Sequence, residues 1–299
     1  MRVHHLNCGT LRPFGRRLVN GDGLPVQFAR LVCHCLLIET DRALVLVDTG
    51  FGLGDVAEPG GDHPGETAKL RRARRRARFL TRPRLDPDET AIRQVARLGF
   101  SAEDVGHIVL THLDSDHTGG LPDFPRAKVH VLEVEHEAAM SPRTPVERFR
   151  YWAHHWAHGP DWITYGSPGS DGWFGFEAVR ELQDLPDIAL VPLPGHTRGH
   201  AGVAIRGGGR ARWLLHAGDS YFFHGEADAA APRCTPGLAR FQARFDVDLP
   251  ARRDNQARLR ELAADHGDEI EMFCSHDPVE FDRYSPSKGP PPTAGRGRP

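Results

Sequence analysis

Residues 108–120 read IVLTHLDSDHTGG, which places His112, Asp114, Asp116 and His117 directly after an apolar run. Imidazole nitrogens and carboxylate oxygens are the donors that zinc, manganese and iron take in proteins. Three later stretches have the same form: VPLPGHTRGH carries His196 and His200, LLHAGDSY carries His216 and Asp219, and MFCSHDP carries His276. In each, an apolar run ends in a turn-forming residue and the candidate donors stand at the break. Loops just past strand ends are where a rigid sheet can hold reactive side chains in place. Alone, each stretch is weak, because a histidine after a strand is commonly structural. Four of them in one chain point to a metal centre.

The elements that would position these loops are legible as short β-branched runs. Strands are expected at 31–38, 43–47, 107–110, 128–132, 188–191, 202–205, 213–216 and 270–274. A helix is expected over 87–98, with Asp86 as its cap, Pro87 in its first turn, Ile92, Val95 and Ala96 inward and Gly99 as its stop. Another is expected over 252–266, with Leu259, Leu262 and Ala263 inward. Early strand meanders, later helix-linked strands and a hairpin through RGGGR (206–210) exclude a purely parallel sheet and predict mixed sheets covered by helices. Residues 1–284 read as a single domain with helical insertions near 66–84 and 144–176, and the Pro/Gly-rich 285–299 reads as a disordered tail. In the first insertion Leu70, Ala73, Ala77 and Leu80 draw a narrow apolar stripe on an Arg-dense helix, which predicts a solvated helix lying over the body. The second, rich in aromatics and histidine, reads equally as a lid or as a small core under a long loop.

Bulk properties narrow the setting. The chain has 299 residues and a formal charge of -2, so no basic field invites nucleic acid. The N-terminus lacks a signal peptide's apolar stretch and no run is long enough to cross a bilayer, which predicts a cytoplasmic protein. Five cysteines at irregular spacing suggest free thiols. Cys33 and Cys35 flank His34, but alternation along a strand points the two thiols one way and the imidazole the other. They read as small buried strand residues.

The motifs together resemble the metallo-β-lactamase superfamily, over about residues 31–278. LVLVDTG (44–50) resembles its first motif, THLDSDHTGG its H-x-H-x-D-H signature, and PGHTRGH, HAGD and SHDP its later ligand motifs. The wording around LPGHTRGH is most similar to the lactonase and small-ester hydrolase branches. The resemblance implies an α+β fold, an αββα sandwich of two mixed β-sheets flanked by helices. It implies two divalent metal ions, zinc, manganese or iron. His112, Asp114 and His196 would hold one, Asp116, His117 and His276 the other, and Asp219 would bridge them. Asp48 and His200 would support the ligand imidazoles from behind. The implied chemistry is hydrolysis of an ester or lactone of a small organic molecule by a metal-bridged hydroxide, with Asp116 orienting it or moving its proton. A small-molecule substrate is the expected partner, and an oligomer is compatible with the sequence.

Asp114 departs from the family signature, which has histidine there. A third carboxylate makes the formal centre neutral rather than positive, which predicts weaker Lewis acidity and a leaning toward manganese or iron. Two further residues are candidates. Tyr221, two residues past Asp219, is placed to hydrogen-bond a developing oxyanion, and Arg198 reads as an exposed loop arginine. The alternatives are a phosphodiesterase or nuclease on the same site, supported by the Arg-rich 66–84, and an iron-dependent redox enzyme.

Overall fold

The computed structural model of the chain describes residues 1–60, 66–166 and 172–284, so the tail expected at 285–299 lies outside the described residues. Among the described residues, eleven strands form two mixed sheets. The first contains β1 (Arg2–Leu11), β2 (Leu31–Glu39), β3 (Leu44–Val47), β4 (Val105–Val109), β5 (Lys128–Leu132) and β6 (Asp161–Tyr165), side by side in chain order. The second contains β7 (Arg180–Leu182), β8 (Leu185–Pro192), β9 (Ala201–Arg206), β10 (Trp213–His216) and β11 (Ile270–Phe273), in the spatial order β11-β10-β9-β8-β7. β1, β2 and β3 are antiparallel, whereas β3 to β6 run parallel. In the second sheet only the β10–β11 pair is parallel.

Strand alternation builds the sandwich. Leu36, Ile38, Val45, Val47 and Val109 face Ile188, Leu190, Val203, Ile205, Leu214 and Phe273 of the other sheet. Their neighbours Cys35, Leu37, Leu44, Leu46 and Ile108 face outward, against Ala91 and Val95 of one helix and Ala138 and Ala139 of another. Leu259 and Leu262 of the helix Leu249–His266 cover the outer face of the second sheet. Strands buried on both faces read as continuous apolar runs, which is why the eight expected strands were legible. This is the αββα layering that the sequence implied.

Three strands escaped the sequence reading. β1 carries His4, His5 and Asn7, whose polarity disguises it. Those groups find partners across the sheet edge: His4 Nε2 meets Glu39 at 2.6 Å and His5 Nδ1 meets His34 Nε2 at 2.8 Å. β7 is too short to show a pattern. β6 lies inside 144–176, so that segment supplies an edge strand, and Tyr151 and Trp156 bury into the helix-side core.

The helix expected over 87–98 is interrupted. Asp86 caps a 3-10 turn, Pro87–Glu89, and Thr90 is extended before the α-helix Ala91–Arg97 begins. The helix Leu249–His266 starts earlier than expected, because Asp248 caps it and Pro250 is accommodated in its first turn. The Arg-rich segment forms the helix Ala68–Thr81, but its expected apolar stripe does not dock: Leu80 is exposed while Arg74 is buried. Arg74 donates to the backbone oxygens of Arg148, Phe149 and Tyr151 at 2.8–3.1 Å, pairs with Glu66, and lies over the Trp152 ring. A guanidinium satisfied by that many acceptors can be buried where an alkyl stripe was expected.

One buried carboxylate ties the loops at the sheet ends together. Glu135, in the helix Glu133–Met140, accepts from Leu113 N and Tyr151 OH with one oxygen and from Gly199 N with the other, at 3.0–3.1 Å. A Cβ at position 199 would stand 2.2 Å from Glu135 N, so only glycine permits this approach. Removing the carboxylate orphans two buried amides, each worth about 1–3 kcal/mol. Glu135→Ala should therefore lower stability by about 3 kcal/mol or more, read from urea unfolding at neutral pH. A loss under about 1 kcal/mol would mean that water replaces the carboxylate.

Candidate metal centre

The loops following β3, β4, β8, β10 and β11 converge at one edge of the sandwich. They bring together Asp48, His112, Asp114, Asp116, His117, His196, His200, Asp219 and His276. Two groups of possible ligands share Asp219: His112, His196 and Asp219, and His117, His276 and Asp219, with the donor atoms of each group within 4.8 Å of one another. Asp219 Oδ2 lies 3.7, 3.5 and 3.2 Å from Nε2 of His112, His196 and His276, and Oδ1 lies 3.5 Å from Nε2 of His117. Asp116 Oδ2 is 3.7 Å from His276 Nε2, and its side chain is 22% exposed against 15% for Asp114 and 4% for Asp219, so it is the most solvent-accessible of the three carboxylates.

Each imidazole is held by its other nitrogen. His117 Nδ1 donates to Asp48 Oδ2 at 2.8 Å, His276 Nδ1 to the backbone oxygen of Val32 at 2.7 Å, and His196 Nδ1 to Asp246 Oδ1 at 3.2 Å. Thr111 Oγ1, which donates to Asp48, accepts from His112 Nδ1 at 3.0 Å. Those acceptors fix the tautomer and aim every Nε2 at the shared centre. Nε2 of His112 and His117 and Oδ1 of Asp219 are buried and have no hydrogen-bond partner. Buried polar atoms are rarely left unpaired, and divalent ions between these donors would satisfy them.

The electrostatics agree. Burial opposes ionisation of Asp219, but His276, His117 and His112 outweigh it and hold the carboxyl well below its ordinary range. Burial would likewise lower the pKa of His117, yet Asp219 and Asp48 push it up to about 10. A place that binds a proton this tightly suits a cation.

Asp48, which holds His117 Nδ1, has a left-handed φ of 54° and takes a further bond from Thr111 N at 2.8 Å. His200 supports differently from the expectation. Its Nδ1 donates to Leu193 O at 3.0 Å and its Nε2 accepts from Asp219 N at 2.8 Å, so it holds the backbone of the Asp219 turn rather than an imidazole. Gly218, at φ 58°, brings that turn onto the ring.

Tyr221 is not at the centre. The chain turns through residues 217–220 and sends it into the core on the outer face of the second sheet, where its hydroxyl donates to Glu280 at 3.2 Å. Its hydroxyl is therefore not placed for the expected oxyanion contact. Arg198 is a partner of Glu147 at 2.6 Å.

Arg150 is the residue that the sequence did not reveal. Its Nη1 donates to both oxygens of Asp114 at 2.9 and 2.8 Å and lies 3.2 Å from His196 Nε2, while Nη2 donates to Phe245 O at 2.6 Å. Burial disfavours the charge on Asp114, but Arg150 and His112 hold it well below the usual carboxylate range. The extra negative charge inferred from the sequence is thus balanced by a buried guanidinium, and the neutral-centre argument for manganese or iron loses its basis. Asp246, which orients His196 and is itself held by Arg252 Nε at 2.6 Å, is a second such residue. Neither carries a motif.

Residues 29–232 match the profile of the metallo-beta-lactamase superfamily. The probable metallo-hydrolase Rv2300c of Mycobacterium tuberculosis is 40% identical over 280 residues, covering 93% of this chain and 81% of that protein. The N-acyl homoserine lactonase AttM of Agrobacterium fabrum is 30% identical over 217 residues, covering 69% and 71%. A solved N-acyl homoserine lactone hydrolase with N-hexanoyl-L-homoserine bound at its catalytic metal centre superposes with a TM-score of 0.65 at 20% identity, covering 94% and 95%, and so shares the fold.

Two measurements test this geometry. Arg150→Met strands a half-buried carboxylate and should cost about 3 kcal/mol, whereas adding Asp114→Asn should recover most of it in urea unfolding of metal-free protein. Additive losses would mean that the two side chains do not act as a pair. Burial and Asp277 push Glu280 up to about 7 from an ordinary 4.5. Its protonated form is thus favoured in the folded state, and the associated stability is present below the unfolded value and lost as pH rises through about 7. Glu280→Gln should flatten that decline relative to the parent, and parallel stability curves over this range would remove the assignment.

Proposed function

The chain belongs to the metallo-β-lactamase superfamily, and from that premise we propose that it is a metal-dependent hydrolase cleaving an ester or lactone of a small organic molecule. The observation that carries the reading is the convergence of four Nε2 atoms on Asp219, with His112, His117 and Asp219 retaining unpaired buried donors. The donor sets fit divalent ions: His112, His196 and Asp219 would hold one, with Asp114 and Arg150 beside it, and His117, His276 and Asp219 the other, with Asp116 beside it. Bound there, such ions supply an acidified water and polarise a carbonyl oxygen.

The remaining work falls to the chain's own groups. Asp116 has the solvent access needed to accept a proton from the attacking water and hand it to the leaving oxygen. Asp48, Asp246 and the backbone oxygen of Val32 keep the imidazoles from turning as charge develops, so the site needs little reorganisation. His200 fixes the turn that presents Asp219.

The lactone preference draws on AttM, named an N-acyl homoserine lactonase. The Arg-rich helix lends little to a phosphodiester substrate, since its buried Arg74 serves the fold. The test is hydrolysis of a panel of acyl lactones, aryl esters and thioesters by protein stripped with chelator and reloaded with zinc, manganese or iron. Activity should appear on reloading and disappear on chelation, and Asp116→Asn should lower kcat by about 10²–10⁴-fold with a smaller change in KM. Turnover of none of the panel with any of the metals would refute the proposal.

A further inference from the structure

The sequence reads Cys33 as a small buried strand residue. It is indeed only 1% exposed, yet it belongs to none of the apolar clusters that take up Cys8, Cys35 and Cys274. Its Sγ forms a group with a carboxylate oxygen of Asp116 and a ring nitrogen of His276, all within 4.8 Å of one another. The backbone enforces this meeting. β2 is zipped to the segment carrying His276, with Val32 N donating to His276 O at 3.3 Å and His34 N to Ser275 O at 2.9 Å. His276 Nδ1 donates back to Val32 O, and Cys33 N donates to Asn7 Oδ1 at 3.1 Å. Alternation then turns His34 between the sheets, onto Phe273, and Cys33 toward the loop ends. On its other side the sulfur is accommodated by Gly9, where a Cβ would stand 3.3 Å from Sγ.

A second observation points at the same place. His117 Nε2 and Asp219 Oδ1, on residues 2% and 3% exposed, lie 3.5 Å apart without a hydrogen-bond partner, and both residues belong to the group that includes His276. Among the described residues no hydrogen bond engages Cys33 Sγ. The region therefore offers nitrogen, oxygen and sulfur donors to one ion.

Resting on the metal-centre reading above, we propose that Cys33, beside Asp116 and His276, is a further protein ligand of the ion that His276 shares with His117 and Asp219, giving that position a sulfur donor and a preference for zinc. On coordination the S–H proton is released to solvent as the sulfur–metal bond forms, and nothing is oxidised or reduced. The two positions then differ in kind: thiolate favours zinc on one side, and the carboxylate-and-guanidinium pair of Asp114 and Arg150 flanks the other.

Cobalt reports this directly. Full-length protein stripped of metal is titrated with Co²⁺, and the near-ultraviolet thiolate-to-cobalt charge-transfer band is recorded beside the visible ligand-field bands and the cobalt content. The parent should show the near-ultraviolet band. Cys33→Ser and Cys33→Ala should lose it while still binding cobalt, and Cys35→Ser should keep it. Loss of even an outer partner weakens a metal about 10–100-fold, so zinc competition against cobalt should weaken by at least about tenfold in Cys33→Ser. Cobalt bound with ligand-field bands but no sulfur band in the parent, or a band that survives Cys33→Ser, overturns the proposal and leaves the metal centre standing. No cobalt bound by the parent overturns both.

Discussion

A metal-binding imidazole can present one nitrogen reliably only if the other is held, and the carboxylate of Asp48 is where this fold meets that demand. It stands at the end of β3 and accepts from Thr111 N, Thr111 Oγ1 and His117 Nδ1, each at 2.8 Å. Through the threonine hydroxyl it also sets the ring of His112. One residue in a left-handed turn thus orients two imidazoles on the loop after the neighbouring parallel strand. The mixed sheets follow from this requirement, because parallel pairing of β3 with β4 and of β10 with β11 puts the loop ends of both sheets on one edge.

The parts of the centre legible in the sequence are those that combine a donor residue with a strand end. His112, His117, His196, Asp219 and His276 each satisfy both conditions, and position along a strand is a local property that periodicity reports. The parts that were not legible act across the fold. Arg150 reaches Asp114 from 36 positions away and Asp246 reaches His196 from 50, and nothing local marks either residue. Cys33 was readable as to face but not as to neighbour, since the alternation that groups it with Cys35 says nothing of the segment zipped beside it. Tyr221 shows the converse failure: closeness in sequence to Asp219 suggested a shared face, and the intervening turn sent the hydroxyl to Glu280.

The same distinction separates the expected from the observed role of the Arg-rich helix. A stripe of Leu70, Ala73, Ala77 and Leu80 is a legitimate docking pattern, but it competes with what a single arginine can do when backbone carbonyls converge on it. Arg74 takes the carbonyls of residues 148, 149 and 151, which brace the short helix Pro145–Arg150 and its exit. The next link is Arg150, whose guanidinium holds Asp114 and touches His196.

This two-arginine relay explains how the chain can carry an aspartate where the family signature has histidine. An added carboxylate buried beside ligand imidazoles would, by itself, face a desolvation cost of several kcal/mol and weaken the field that acidifies a bound water. Arg150 removes both difficulties, but only if a long, flexible side chain is pinned in one geometry. Its anchor on Phe245 O fixes one end of the guanidinium, and Arg74, through the backbone of residues 148–151, fixes the segment from which it springs. The Arg-rich helix is on this view part of the candidate centre's support: a helix whose remote arginine determines how rigidly the substituted carboxylate is held. Its influence should register first at Asp114 and His196, which Arg150 touches, since His112 and His117 both hang on Asp48 and His276 on the backbone of β2.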